Sequence, residues 1–142
     1  MHLIRPLRSP LRAGPRRVRE RLCIAAGQRS ARIVRAGIFG QAWLEVCGSD
    51  YVTRARAGRL AVLEVDGHCF LGGLSDHGER PSATRSDGVA IEVAVGNGAW
   101  LAVTEAPRAA RDTKIELTWA VGGNVRQTTF ELTGDSDAAA TY

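Results

Sequence analysis

The sequence predicts an all-β domain, an antiparallel β-sandwich or small barrel of about eight to nine short strands. Three observations support this prediction. Apolar and polar residues alternate through residues 89–95 and 114–121, as expected of strands that bury one face. Turn pairs such as Asn97-Gly98 separate the alternating segments. All five prolines lie outside the proposed strands, where their missing N–H costs no ladder hydrogen bond.

A basic N-terminal arm, residues 1–31, precedes the predicted β-domain. Residues 1–38 contain ten arginines and one acid, a net charge of +9, whereas residues 39–142 carry a net charge of −5. Such asymmetry indicates an anionic partner for the arm. Guanidinium groups suit both carboxylates and phosphates, which makes five arginines the candidate contacts: Arg12, Arg16, Arg17, Arg19 and Arg21.

One short helix is predicted within the arm, over residues 15–26. Pro15 suits the first helical turn, Val18 and Leu22 share a helical face, and Gly27 can end the helix. The rest of the arm is expected to be irregular. Two other interpretations stay open: an organelle transit peptide, which is also arginine-rich and acid-poor, or a start codon assigned too far upstream.

The β-domain is predicted to span residues 32–133, with a flexible tail over residues 134–142. Asp66-Gly67 between two apolar runs is the strongest hairpin signal in its first half. In chain order, the expected strands are 32–39, 41–47, 51–56, 60–65, 68–71, 89–95, 99–105, 114–121 and 125–132.

Residues 72–88 are the longest segment without a predicted strand. They contain several glycines and Pro81. Because long structureless loops inside compact domains are often functional, we expect a mobile or partner-contacting element there, with His77 and Arg80 as its candidate residues. The alternative is a disordered surface insertion.

The tryptophans supply a further binding candidate. Trp119 shares the apolar face of Ile115 and Leu117 and is expected in the core. Trp100 alternates with Leu101, which places it on the outer face of its strand. An exposed Trp100 would suit a sugar ring or a protein interface, but core or edge packing is the favoured interpretation for each tryptophan.

The three cysteines, an odd number, favour thiols in a reducing compartment. The predicted location is therefore cytoplasmic or virion-associated, with an organelle as the alternative if the arm is a transit peptide. A Cys47–Cys69 bridge is the competing interpretation. No apolar run approaches the ~18 residues of a membrane helix, so no membrane span is expected.

No metal site, other cofactor or catalytic centre is predicted. The spacing of His68, Cys69 and His77, with Cys47 far upstream, does not match the paired ligands of structural zinc. Cys69 could act as a nucleophile with His77 only if the long loop folds back over it. Nucleophile-elbow, P-loop and dinucleotide-binding motifs are missing. Enzymatic activity therefore stays an open but disfavoured alternative.

The pattern as a whole favours a non-catalytic interaction or assembly module, such as a structural component of a larger, virion-like assembly. The arm would contact an acidic partner subunit or nucleic acid, and the expected partner is a protein or a second copy of the chain. Two alternatives remain: a nucleic-acid-associated accessory protein that binds phosphates through the arm, and a small enzyme using Cys69 and His77. Architecture alone is a weak basis for choosing among them.

Overall fold

The computed structural model describes residues 2–4, 7–10, 18–36, 40–49, 51–75, 80–121, 124–134 and 137–141. Within these ranges the chain forms three antiparallel sheets and no α-helix, and a single 3-10 turn lies at Arg108–Ala110. The all-β prediction is confirmed. No helix in the described part of the chain has the length and apolarity needed to cross a bilayer.

The strands follow one another as β1 (His2–Ile4), β2 (Leu7–Pro10), β3 (Val18–Ala26), β4 (Arg29–Ala36), β5 (Gln41–Cys47), β6 (Tyr51–Arg56), β7 (Ala61–Val65), β8 (His68–Leu74), β9 (Ser82–Arg85), β10 (Val93–Gly96), β11 (Ala99–Glu105), β12 (Lys114–Val121), β13 (Asn124–Glu131) and β14 (Asp137–Thr141). They form a five-stranded sheet of order β2-β6-β5-β4-β3, a six-stranded sheet of order β1-β14-β7-β8-β11-β10 and a three-stranded sheet of order β13-β12-β9.

The six-stranded sheet is the middle layer of three. One apolar core lies between it and the five-stranded sheet, and its largest members include Ile33, Leu44, Leu63, Phe70 and Leu101. A second core lies on its other face, against the three-stranded sheet, and includes Leu60, Leu71, Trp100, Ile115, Leu117 and Leu132. The middle strands therefore bury both faces, and every residue of β7 is buried.

Burial on both faces explains the position of Trp100. Its side chain does point away from Leu101, as the alternation predicts, but that direction leads into the second core. Trp100 is only 3% exposed, so the favoured core packing is found, and the surface position of Trp100 as a partner-binding candidate is wrong. A strand in a middle layer has no solvent-facing side for an aromatic residue to occupy.

Two hairpins form as their turn residues predict. Asp66 and Gly67 have φ of 47° and 82°, and Asn97 and Gly98 have φ of 51° and 72°. Positive φ at both central residues is the requirement of the tight turn that matches strand twist. These turns set the register of β7 with β8 and of β10 with β11.

The helix predicted over residues 15–26 is wrong, because residues 18–26 form β3. β3 pairs with β4 and has an irregularity between Glu20 and Leu22. Leu22, Ile24 and Ala26 alternate along the strand and pack against the first core. The four-residue spacing of Val18 and Leu22 fits a helix as well as a strand. Pairing with β4 stabilises the strand. Residues 15–17 lie outside the described residues.

The loop and tail predictions are also corrected. β8 extends to Leu74, and β9 pairs with β12 inside the segment expected to be a loop. The strand expected at residues 89–95 is replaced by the shorter β10, Val93–Gly96. The segment expected to be a flexible tail contains β14, which lies between β1 and β7. Ala139 and Ala140 are buried there, and short side chains give weak sequence signals for burial.

Buried polar contacts attach the three-stranded sheet to the middle layer. Arg85 of β9 donates from Nη1 to Thr104 Oγ1 of β11 at 2.6 Å. Glu64 of β7 accepts hydrogen bonds from the backbone N–H groups of Thr133 and Gly134, just after β13, at 3.1 and 3.2 Å. Because buried polar groups are costly when unpaired, these contacts fix how the layers meet.

Candidate functional site

The candidates from the sequence do not form one site among the described side chains. Arg12, Arg16, Arg17 and His77 lie outside the described residues, and Arg19 and Arg21 belong to β3. Arg80 is exposed and Trp100 is buried. The partner-binding roles of these residues stay predictions, except that a buried Trp100 offers no surface to a partner.

The hairpin of β12 and β13 leads to a different site. Its inner face carries the cross-strand pairs Ile115–Phe130, Leu117–Thr128 and Trp119–Arg126. Burial falls along this series: Ile115 and Phe130 are both buried, whereas Trp119 is half-buried and Arg126 is exposed. The hairpin therefore extends past the end of the second core, and its inner face opens to solvent there.

A cleft of about 430 Å³ occupies this open end. Five residues line it: Arg59, Trp119, Arg126, Gln127 and Thr128. Arg59 comes from the connection between β6 and β7, and the other four come from the hairpin. The cleft thus lies between the hairpin of the three-stranded sheet and the connection that leads into β7 of the middle sheet.

The backbone around Arg59 is held firmly. Gly58 O accepts a hydrogen bond from Leu74 N at 3.0 Å, and Leu60 is completely buried on the other side of Arg59. The Arg59 carbonyl packs so closely on Gly73 that a Cβ at position 73 would overlap it. The side chain of Arg59 is nevertheless exposed. A fixed backbone with an exposed guanidinium places a cation at the cleft with little ordering cost for its main chain.

The electrostatic character of the cleft is cationic. Neither Arg59 nor Arg126 forms an ion pair with another described residue; the ion pairs in the described part of the chain use Arg29, Arg32, Arg54 and Arg85. The lining residues include no carboxylate. Guanidinium groups bind carboxylates and phosphates through paired hydrogen bonds, and the Trp119 ring adds an apolar face. The cleft is suited to an anionic group attached to an apolar or ring-shaped body.

A second groove of about 560 Å³ lies elsewhere, lined by Arg80, Pro81, Ser82, Ala83, Ile91, Glu92 and Val93. It places the predicted candidate Arg80 on a concave surface. However, the carboxylate of Glu92 is part of the same lining, so the groove presents both signs of charge. It lacks the uniform cationic character of the cleft at Trp119.

Cys47 and Cys69 are in environments that disfavour the reactive thiolate. All three are thiols, so the alternative Cys47–Cys69 bridge is not formed. Cys69 is completely buried, and burial, with a smaller contribution from Glu64, raises its pKa well above the ordinary value. Burial also raises the pKa of Cys47. A protonated, inaccessible thiol is a poor nucleophile, and His77, its proposed base, lies outside the described residues.

Metal ligation also lacks a site in the described part of the chain. No group of three histidine, cysteine or acidic side chains lies close enough to hold a metal ion there.

The sequence contained a usable signal for the cleft. If Gly122-Gly123 forms a two-residue turn, Val121 pairs with Asn124, and Arg126 then lies opposite Trp119. What the sequence could not show is Arg59, because its approach to the hairpin depends on the packing of two sheets.

Comparison with known protein families, with curated proteins and with solved structures gives no match. Inference about function therefore depends on the chemistry of the cleft.

Proposed function

We propose that this protein is a non-catalytic binding module that captures an acidic partner subunit in the cleft at Trp119. One observation supports this most directly: Arg59 and Arg126, both exposed and without an ion pair to another described residue, share the cleft with a half-buried Trp119. Arginine and tryptophan are the residues that contribute most to protein interfaces. A module of this kind would serve as a component of a larger assembly, with virion-like assemblies as one setting.

The magnitudes favour a specific but reversible contact. A hydrogen bond to a charged group contributes about 1.5–3 kcal/mol, less where water competes. Two such guanidinium contacts amount to about 3–6 kcal/mol, less than the about 8.2 kcal/mol of micromolar binding, so the cleft alone would hold a partner only weakly. Salt would weaken such binding, because both cations are exposed.

Nucleic-acid binding is the second proposal. The net charge of +9 in residues 1–38 favours it, since phosphate contacts alone give sequence-independent affinity. The incorporation of residues 2–4, 7–10 and 18–26 into sheets counts against a separate projecting arm. The third alternative, an enzyme using Cys69, has no support from the burial of that thiol.

A charge-reversal experiment tests the first proposal. The variant Arg59→Glu with Arg126→Glu removes the cationic lining, and the control Arg108→Glu with Arg111→Glu makes the same change in net charge on exposed residues at the start and just after the end of the 3-10 turn. Fluorescence anisotropy would follow the binding of labelled poly-L-glutamate. We expect the cleft variant to weaken binding about tenfold or more, and the control to weaken it far less. Equal losses in the two variants would contradict the proposal.

A second probe distinguishes nucleic-acid binding from the capture of an acidic protein partner. A labelled single-stranded oligonucleotide should bind weakly if the cleft is the main anionic site, because one aromatic ring offers little base stacking. The triple variant Arg12→Ser, Arg16→Ser, Arg17→Ser would be measured beside the cleft variant. Tight oligonucleotide binding that is lost in the triple variant and retained in the cleft variant would favour the nucleic-acid proposal instead.

A further inference from the structure

The strand that forms one wall of the cleft is also the edge of its sheet. β13 pairs with β12 on one side, and no described strand pairs with its other side. The strand contains neither glycine nor proline, and seven of its eight residues are exposed or half-buried. Val125 is 73% exposed. Long edge strands of this kind are templates for pairing with another chain, and proteins usually block them with lysine, proline or bulges.

The register shows which backbone groups of β13 are available. Leu132 N donates to Thr113 O at 2.8 Å, and Ser86 N donates to Lys114 O at 2.9 Å. Because hydrogen-bonded positions alternate along an antiparallel ladder, the even-numbered residues of β13 bond to β12. The N–H and C=O groups of Val125, Gln127, Thr129 and Glu131 therefore point away from the sheet.

The cationic side chains of the cleft and the outward-facing backbone groups of β13 both suit an extended acidic peptide. On the inner face, Trp119 and Arg126 form one cross-strand row, and an added strand would place its next residue in that row beside Arg126. Opposite charges directly across a ladder stabilise strand pairing. Arg59, which lines the cleft from the connection between β6 and β7, adds a second cation within the same space.

We propose that an extended, acidic segment of a partner polypeptide adds to β13 as a fourth strand, with a carboxylate opposite Arg126 in the cleft. This inference rests on the proposed function, since it states how the acidic partner is held. Backbone hydrogen bonds to the four outward-facing residues would supply affinity, and the carboxylate would select the register. A nucleic acid could use the cations of the cleft but not the alternating backbone groups of the edge.

Synthetic peptides test the mode of binding on the intact protein. The probe is a seven-residue peptide of alternating threonine and valine with a central glutamate. One control replaces the glutamate with glutamine, and a second carries N-methyl groups on the alternate residues that would face β13, which removes the hydrogen-bond donors of that edge of the peptide without altering the protein. Amide hydrogen exchange would be measured by NMR at Val125, Gln127, Thr129 and Glu131.

We expect the glutamate peptide to slow exchange at these four amides, and the N-methylated peptide to have no effect. Replacing glutamate with glutamine should weaken binding about two- to fivefold, and Arg126→Gln should remove that difference. Poly-L-glutamate binding that depends on Arg59 and Arg126 without protecting the edge amides would overturn the strand addition and leave the proposed function standing. Slow exchange of the four edge amides in the absence of any peptide, together with dimers in sedimentation, would show that a second copy of the chain pairs with β13. That result would also overturn the proposed addition of a partner strand.

Discussion

At the residue scale, a row of polar residues crosses the five-stranded sheet, and Glu45 and Arg54 within it are buried. Cys23, Arg32, Glu45 and Arg54 lie opposite one another on successive strands. Glu45 is completely buried, and it accepts hydrogen bonds from Arg32 Nε, at 3.0 Å, and from Arg54. A buried carboxylate needs such partners, because desolvation otherwise costs several kcal/mol.

The variant Glu45→Gln tests that row. Without the carboxylate, Arg54 keeps a buried positive charge and loses its counter-ion, so we expect the free energy of unfolding to fall by about 3 kcal/mol. Urea denaturation followed by circular dichroism would measure the change. The matched control, Glu116→Gln, changes an exposed side chain on β12 and should alter stability by less than about 0.5 kcal/mol. Similar losses in both variants would show that the row contributes little.

Asp87 gives a pH dependence at the same scale. Arg85 donates two hydrogen bonds to it, at 3.0 and 2.6 Å, and they lower the pKa of the carboxyl from its ordinary value of 3.8. A lowered pKa in the folded state means that the contact stabilises above pH 3.8 and is lost as the pH falls through the lowered value. The difference in urea midpoint between the native protein and Asp87→Asn should be constant above about pH 5 and should shrink progressively as the pH falls below 3.8. A constant difference at all pH values would contradict this assignment.

At the element scale, turn residues correctly predicted two hairpins, whereas the spacing of apolar residues wrongly predicted a helix in place of β3. Asp66-Gly67 and Asn97-Gly98 specify their hairpins because both positions require positive φ. β3 was missed because Val18 and Leu22 fit two periods at once, and arginines suit either structure. Elements whose stability comes from pairing rather than from their own pattern cannot be identified from one segment at a time.

Gly73 lies where β8 packs against the connection that carries Arg59. It lies in β8 against the Arg59 carbonyl, and a methyl group there would overlap that backbone. We expect Gly73→Ala to destabilise the fold by about 2–3 kcal/mol and to weaken poly-L-glutamate binding by displacing Arg59. Thermal unfolding and anisotropy would be measured together. Gly96→Ala is the control, since its added methyl meets only the flexible end of Leu22 at 3.3 Å and should cause a smaller change in each.

At the scale of the whole molecule, the three-layer arrangement explains what the sequence pattern could not show. The alternation rule assumes that each sheet has one face in water. The middle sheet has none, and β7, β8 and β11 accordingly contain short runs of consecutive buried apolar residues, such as Ala61–Leu63 and Ala99–Ala102. Such runs indicate burial on both faces, but they do not show which layer lies on which side. The position of Trp100 and the approach of Arg59 to the hairpin both depend on that stacking.

The stacking also makes the C-terminal strand essential. β14 lies inside the middle sheet, between β1 and β7, and its neighbouring residues Ala139 and Ala140 pack into different cores. Deleting residues 137–142 would open the ladder along β7 and expose both cores, so we expect cooperative thermal unfolding to disappear. Deleting residues 1–4 removes only the edge strand β1 and should lower the midpoint while preserving a cooperative transition. If the protein without residues 137–142 kept a native-like cooperative thermal transition, β14 could not be an interior strand on which both cores depend.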